Sequence, residues 1–178
     1  MPATPRTVRA LALALAGLGV TASTITALPA NAASGSGDSI ESTTTTTTRT
    51  AAKRVAARVI GAKDIAMHQR GDAYAYGAAG PDRFDCSGLI YYSYRRAGFS
   101  VPRTSSAQAG AVRRVAKQDL RAGDLMFFYG SGGVYHAAIF LKWEHGHAVM
   151  VHSPGSGQRV RVAVPWTSSW FGGTLRRR

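Results

Sequence analysis

The feature that most constrains the fold is a change of hydrophobic periodicity along the chain. In the first part, apolar residues recur three and four positions apart, which is the spacing of one face of an α-helix. The first such run contains Val55, Val59 and Ala62 and ends at Gly71. Because glycine commonly terminates helices, this pattern predicts a helix over about residues 53–71.

Two further helices are expected, over residues 86–97 and around residues 105–112. The chain then changes to short runs rich in β-branched and aromatic residues, most of them separated by glycine-containing turns. These runs cover residues 125–129, 135–141, 148–152 and 160–164. Helices followed by hairpin-connected strands indicate an α+β fold, with N-terminal helices packed on an antiparallel β-sheet.

The first 32 residues have the organisation of a secretory signal peptide. Arg6 and Arg9 give a positive start, residues 11–22 are apolar and uncharged, and Ala-Asn-Ala at 30–32 offers small residues for cleavage. A membrane anchor is the alternative, but spanning needs about 20 apolar residues and Gly, Thr and Pro interrupt this run. We therefore expect secretion, with no membrane span in the mature chain.

Residues 33–52 are expected to form a flexible linker. They include Ser-Gly-Ser-Gly and six consecutive threonines and show no hydrophobic periodicity. Such a segment cannot bury enough apolar area to offset its ordering entropy. Residues 53–178 then form one domain, which is the number expected for a chain of 178 residues.

The charge of the chain is strongly positive, with 22 Lys and Arg against 9 Asp and Glu and a formal net charge of +13. This charge favours an anionic partner, attracted over a long range in a salt-dependent way. Nucleic acid is one alternative. The predicted secretion, the lack of a recognition-helix or base-stacking motif and the scattered arginines argue against it.

Cys86 is the single cysteine of the chain, so it has no partner for an intramolecular disulfide. It lies where a loop ends and the helical period begins, which places the thiol in the first turn of a helix. Unpaired backbone N–H groups and the helix dipole favour the thiolate there, so we expect a lowered pKa and a nucleophilic role. The alternative is a buried cysteine that acts as a small hydrophobic residue.

Histidine is the side chain suited to accept the thiol proton near neutral pH. Of the five histidines, His136 begins one predicted strand and His152 ends the next. If these strands pair as a hairpin through residues 144–146, one imidazole can act as base while the other holds its tautomer. The alternative is a pair of hydrogen-bonded strand-end histidines. The remaining histidines are expected at the surface or in a turn: His68, His145 and His147.

Several short motifs follow one another between about residues 60 and 165. They are Tyr-Ala-Tyr-Gly at 74–77, Phe-Asp-Cys-Ser-Gly-Leu at 84–89, Pro-Arg-Thr-Ser at 102–105 with Gln108, Gly-Asp-Leu-Met-Phe-Phe at 123–128, and the two histidine strands. In this order and at this spacing they resemble the NlpC family of bacterial cell-wall cysteine peptidases. That family often has Trp at the position of Tyr76 and Val-Gly at Ala137 and Ala138, departures that do not touch the chemistry.

The resemblance implies a papain-like α+β fold. It also implies hydrolysis of an amide bond in peptidoglycan stem peptides, usually the bond between D-glutamate and a diamino acid. By matching position, Cys86 resembles the nucleophile, His136 the base and His152 the residue that orients the base. No metal and no cofactor are implied.

The resemblance also implies residues that contact substrate. Tyr74 resembles a tyrosine that contacts substrate and helps to hold the oxyanion. Asp85 and Ser87 resemble residues that line the substrate cleft, and Arg103 is a weaker match that is equally compatible with a structural role.

The expected partners are therefore peptidoglycan stem peptides and, through charge, anionic cell-wall polymers. We expect a monomer that is extracellular or associated with the cell wall, with no nucleic-acid partner. Two alternatives stay open: a related amidase or acyl transferase that uses the same cysteine and histidine, and a catalytically silent wall-binding domain. The three filled catalytic positions argue against the second.

Overall fold

The structure is a computed structural model that describes residues 40–176, with side chains from residue 47. The predicted signal peptide, residues 1–32, lies outside the described residues. The helices are α1 (Ile40–His68), α2 (Cys86–Arg96) and α3 (Ser105–Ala111). The strands are β1 (Ala73–Tyr74), β2 (Arg83–Phe84), β3 (Arg113–Val115), β4 (Leu125–Gly130), β5 (Gly133–Glu144), β6 (His147–His152), β7 (Arg161–Ala163) and β8 (Trp170–Thr174). Within residues 40–176, no helix is both long and apolar enough to cross a membrane.

α1 begins earlier than the sequence predicts. Its first residue is Ile40, so the prediction of a flexible linker over residues 33–52 is wrong for residues 40–52, which are helical. Residues 33–39 lie outside the described residues. The domain boundary at residue 53 stays a prediction.

Packing explains the extra length of α1. Val59, Ala62 and Ala66 are fully buried against the rest of the domain, whereas residues 47–54 are exposed. Burial fixes the C-terminal half of the helix and thereby provides the nucleus. Each further residue then adds one backbone hydrogen bond, so the helix extends into a segment that has no apolar face of its own.

Six strands form one antiparallel sheet in the order β3-β8-β4-β5-β6-β7, while β1 and β2 form a separate parallel pair. The predicted α+β fold is confirmed, and the four predicted strand runs correspond to β4, β5, β6 and β7. The strand β8, which lies between β3 and β4, was not predicted. It contains Gly172 and Gly173, and a Cβ added at either position would overlap the side chain of Leu120 or Val112. Glycine weakens the strand signal in the sequence, but here it permits close packing.

The hydrophobic core consists of two clusters that lie on opposite faces of the sheet, because successive strand residues point to opposite sides. The first cluster joins the sheet to the helices and includes Leu89 and Ile90 of α2 with Phe127 of β4. The second lies on the other face and includes Phe128 and Trp170. The start of α2 is therefore held directly against the sheet.

The hairpin of β5 and β6 sets the register of the two histidine strands. Its loop residues His145 and Gly146 both have positive φ, 49° and 80°, which matches a two-residue type I′ turn. The hairpin predicted from the sequence is confirmed. Its open end carries His136 and His152.

Candidate active site

Cys86 is the first residue of α2, and Asp85 is the N-cap of that helix. Oδ1 of Asp85 accepts a hydrogen bond of 2.6 Å from the backbone N–H of Gly88. This bond satisfies one of the N–H groups that the start of a helix leaves unpaired. The predicted position of Cys86 in the first turn of a helix is confirmed, and the residue is partly exposed.

Arg103 holds the capping carboxylate from a second side. Its Nη1 and Nη2 atoms lie 3.0 Å from Oδ1 and 2.6 Å from Oδ2 of Asp85, and the N–H of Gly77 donates to Oδ2 at 2.9 Å. Burial raises the pKa of Asp85, but the hydrogen bonds from Arg103 and the backbone outweigh it and hold that pKa below its usual value. The cap is thus an ionised, fully bonded carboxylate that fixes the residue beside the thiol.

Ser87 belongs to the same network. Its hydroxyl donates to Oδ1 of Asp85 at 3.2 Å and accepts from Nη1 of Arg103 at 3.0 Å, while Nε2 of Gln108 donates to its carbonyl at 2.9 Å. Asp85 and Ser87 are 8% and 6% exposed. In the structure both residues hold the first turn of α2, and their role in lining a substrate cleft stays a prediction.

Gly88 permits the preceding loop to pack against the start of α2. A Cβ at this position would overlap the carbonyl oxygen of Ala78. That oxygen accepts the N–H of Asp85 at 2.9 Å and Nη2 of Arg103 at 3.1 Å. The glycine two residues after the cysteine is therefore required by a close backbone approach.

Tyr74 lies next to the strand that precedes Cys86. β1 and β2 pair in parallel with Tyr74 opposite Phe84, two residues before Cys86. Burial raises the pKa of the Tyr74 hydroxyl, and the nearby Cys86 and Asp85 raise it further. The phenol is therefore a neutral hydrogen-bond donor within electrostatic reach of the sulfur.

His136 and His152 are in contact. Nε2 of His136 lies 3.0 Å from Nδ1 of His152, and the ring planes are nearly perpendicular, at 89°. The side chains are 5% and 2% exposed, so the predicted juxtaposition is confirmed. The other histidines are exposed: His68, His145 and His147.

Both imidazoles are held in the neutral form. Burial, followed by repulsion from His152, lowers the pKa of His136 to about 3. Burial, followed by repulsion from Arg161, lowers the pKa of His152 to about 4. Because a neutral imidazole has one N–H, donation from Nε2 of His136 to Nδ1 of His152 leaves Nδ1 of His136 free to accept a proton.

α2, which begins at Cys86, packs against β5. The backbone N–H of Ala137, the residue after His136, donates a hydrogen bond to the sulfur. Burial nevertheless raises the pKa of Cys86, and the N–H groups of Ala137 and Ser87 offset only part of this effect. The expectation of a lowered pKa is therefore wrong for the resting site: the helix start acts in the expected direction, but desolvation of the sulfur is larger.

A buried hydrogen bond joins the residue after β6 to β2, the strand that precedes Cys86. The Ser153 hydroxyl donates to the carbonyl of Phe84 at 2.7 Å, and both residues are fully buried. Ser153 directly follows His152, and Phe84 precedes Cys86 by two residues. The bond therefore couples the position of the histidine strand to that of the thiol.

Trp166 was not identified from the sequence. It follows β7 and stacks on Phe128, with ring centroids 4.6 Å apart and planes 9° apart. Its centroid also lies 5.3 Å from that of His136 and 5.8 Å from that of His152. No periodicity marks this residue, because it lies in a loop; only its size within a polar Pro- and Ser-containing segment sets it apart.

Comparison with known protein families gives one consistent result. Residues 71–177 match the profile of the NlpC/P60 family. Among curated proteins, a probable endopeptidase of Corynebacterium glutamicum is 43% identical over 93 residues, which cover 52% of this chain and 42% of that protein. A probable endopeptidase of Mycobacterium tuberculosis is 42% identical over 104 residues, covering 58% of this chain and 25% of that protein. The chain thus spans less than half the length of these curated relatives.

Two solved structures from Mycobacterium tuberculosis have a similar fold. The peptidoglycan hydrolase RipB has a TM-score of 0.61 and 27% identity over 71% of this chain and 68% of its own. RipD, described as a non-catalytic NlpC/p60 domain protein adapted to peptidoglycan binding, has a TM-score of 0.55 and 28% identity over 66% of this chain and 97% of its own. The fold is therefore shared by a hydrolase and by a protein that does not catalyse.

Proposed function

Because the chain belongs to the NlpC/P60 family, we propose that it is a secreted cysteine endopeptidase that hydrolyses an amide bond in peptidoglycan stem peptides. One observation carries the proposal. His136 and His152 form a buried pair with Nε2 of the first 3.0 Å from Nδ1 of the second, and Ala137, the residue after His136, supplies a backbone hydrogen bond that lowers the pKa of the Cys86 thiol. This arrangement supports the assignment of Cys86 as nucleophile, His136 as base and His152 as the residue that orients the base.

The first chemical step is proton transfer inside a neutral site. Nδ1 of His136 takes the proton of the Cys86 thiol, and the resulting imidazolium donates through Nε2 to His152. The thiolate then attacks the amide carbonyl. The developing oxyanion is met by the backbone N–H of Cys86 and the hydroxyl of Tyr74, and one such donor contributes about 3–4 kcal/mol in other enzymes.

The second half of the reaction reverses these roles. The imidazolium of His136 protonates the leaving amine, and a thioester with Cys86 remains. His136 then takes a proton from water, which attacks the thioester; the C–S bond breaks, the carboxylate product leaves, and the proton returns from His136 to the Cys86 thiolate. From the family resemblance, we propose that the cleaved bond is the amide between D-glutamate and a diamino acid.

The test is release of new amino groups from purified peptidoglycan or a defined stem peptide, followed by mass spectrometry of the products. We expect activity in the wild-type chain and none in Cys86→Ala or His136→Ala. His152→Ala should lower turnover, and His152→Asn should lower it less. His147→Ala, at the exposed hairpin tip, is the matched control and should retain full activity. Full activity of Cys86→Ala would overturn the nucleophile assignment.

A non-catalytic wall-binding role is the second candidate, because the sequence identity to RipD, 28%, is as high as the 27% to the hydrolase RipB. The same preparation separates the two functions. If the wild-type chain sediments with peptidoglycan as strongly as Cys86→Ala and releases no amines, it binds without catalysis.

The positive charge supports a second partner, the anionic polymers of the cell wall. Without Arg6 and Arg9 of the predicted signal peptide, 20 Lys and Arg stand against 9 Asp and Glu, and this net charge of 20 − 9 = +11 attracts polyanions in a salt-dependent manner. Exposed Arg113 and Arg114 on the edge strand β3 are available for such contacts. We expect a monomer whose binding to intact walls weakens between low and high salt; binding that is independent of salt would contradict an electrostatic partner.

A further inference from the structure

Trp166 is an exposed aromatic residue in a fixed position. Its side chain is 56% exposed, whereas Phe128, on which it stacks, is fully buried in the core. Near-parallel rings at 4.6 Å give a stacking contact that adds to the area buried. The indole is thus attached to the core through one face, although it lies in a loop outside the sheet.

The same indole covers both imidazoles. It meets the ring of His136 edge-on, at an angle of 62°, and lies within 27° of parallel to the ring of His152. Nε2 of His152 is buried and makes no hydrogen bond with any residue that the structure describes. A buried nitrogen without a hydrogen-bond partner thus belongs to the imidazole on which this indole stacks.

We propose that Trp166 is a positioning residue for the histidine pair: by excluding water from His152, it keeps that imidazole neutral and able to accept the hydrogen bond from His136. This inference deepens the proposed function and rests on it for its kinetic part. Its structural part concerns the protonation of the two imidazoles and can be measured without any substrate.

The chemical reason is the direction of the hydrogen bond inside the pair. If water solvates His152 and it takes up a proton, its Nδ1 becomes a donor. Nε2 of His136 must then accept, so the proton of a neutral His136 moves to Nδ1. The nitrogen that should receive the thiol proton is thereby blocked. Exclusion of water prevents this change because a dry site disfavours the charged imidazolium.

Other ionisable groups also act on the pair. Arg161 of β7 lies opposite His152 in the strand register and disfavours its protonation. On the side of α2 and β1, the groups within reach of the site are the Cys86 thiol, the Asp85 carboxylate and the Tyr74 hydroxyl. All of them remain in a Trp166 variant, so a change in titration reports the removal of the indole.

The experiment follows both imidazoles by NMR as a function of pH in the wild type, Trp166→Ala and Trp166→Phe. We expect the midpoints of His136 and His152 to rise by about one pH unit or more in Trp166→Ala, and by less in Trp166→Phe, which retains an aromatic ring. Trp143→Ala is the matched control, because Trp143 is also exposed and contacts one aromatic ring, Phe140. It should leave both midpoints unchanged.

The kinetic arm measures kcat/KM across the same pH range. We expect the acid limb of Trp166→Ala to move upward with the imidazole midpoints, and Trp166→Phe to restore part of the difference. Superimposable titrations of wild type and folded Trp166→Ala overturn the proposal, as does an activity loss that is equal at every pH. If the wild type hydrolyses nothing, the proposed function fails, while the NMR titration still decides the role of Trp166.

Discussion

Lowering the pH from 7 to 5 is expected to weaken the fold through the buried histidine pair. In the native state His136 and His152 have pKa values of about 3 and about 4, below the ordinary value of 6.5. At pH 5 the unfolded chain therefore binds protons that the native state does not. Because stability rises with pH wherever the unfolded state binds more protons, the pair stabilises the fold above pH 6.5, and this contribution falls as the pH drops.

The magnitude follows from these values. Between pH 7 and pH 5, each imidazole with a pKa near 6.5 unfolded and 3–4 folded removes about 2 kcal/mol from the free energy of unfolding. If the two histidines titrate independently, the loss is about 4 kcal/mol; if the first protonation unlocks the site, it is nearer 2 kcal/mol. Either value is a large part of the roughly 5–15 kcal/mol typical of a domain.

Urea denaturation at pH 7, 6 and 5 measures this loss in the wild type and in the double variant His136→Asn, His152→Asn. The exposed histidines and the surface charges are common to both proteins, so the difference between the two pH profiles isolates the pair. We expect the wild type to lose about 2–4 kcal/mol more than the variant between pH 7 and pH 5. Parallel profiles would refute the conclusion that burial keeps the pair neutral.

Three further predictions concern the start of α2, and a fourth substitution in α1 serves as a control. Gly88→Ala should lower the free energy of unfolding, measured by thermal melts, by about 1–3 kcal/mol or more, because the new methyl group overlaps the Ala78 carbonyl. Gly61→Ala is the control inside α1, where an added methyl group meets nothing within 4 Å; it should raise the free energy of unfolding by about 0.5–1 kcal/mol. Alkylation of Cys86 should still accelerate above pH 8.5, the value near which an ordinary thiol ionises, since burial raises its pKa; a rate that is already constant at pH 7 would reveal a resting thiolate. Arg103→Lys should lower the melting temperature and turnover, because one ammonium group cannot replace a bidentate guanidinium; unchanged melting and kinetics would contradict this role.

The predictable part of the fold is the part with regular hydrophobic spacing. α2 buries one face at helical spacing, whereas β4 to β6 are short apolar runs that are buried on both faces, and both patterns are visible in the sequence. The strand β8 is not predictable from the sequence, because its Gly172 and Gly173 are required by close packing that is seen only once neighbouring elements are in place. The N-terminal part of α1 is not predictable in this way, because its residues 47–54 are exposed and extend from a helix that is held by burial further along.

The site divides in a similar way. Cys86 begins α2, His152 ends β6 and His136 lies near the start of β5. They are predictable because the ends of a helix and of a hairpin can be located from the pattern. The pKa of the thiol is not predictable in this way, because it depends on how much water the assembled site excludes. Trp166 lies in a loop, and only the folded chain shows that its ring covers the imidazoles.

The sulfur and the imidazoles come from different halves of the chain: the sulfur from the helical half, the imidazoles from the hairpin. If Cys86 and His136 act together as proposed, a chain whose hairpin has not docked onto α2 has a thiol without its base. Hydrolysis then requires both halves to be in place, and we expect turnover during refolding to begin only after α2 and the hairpin have packed together.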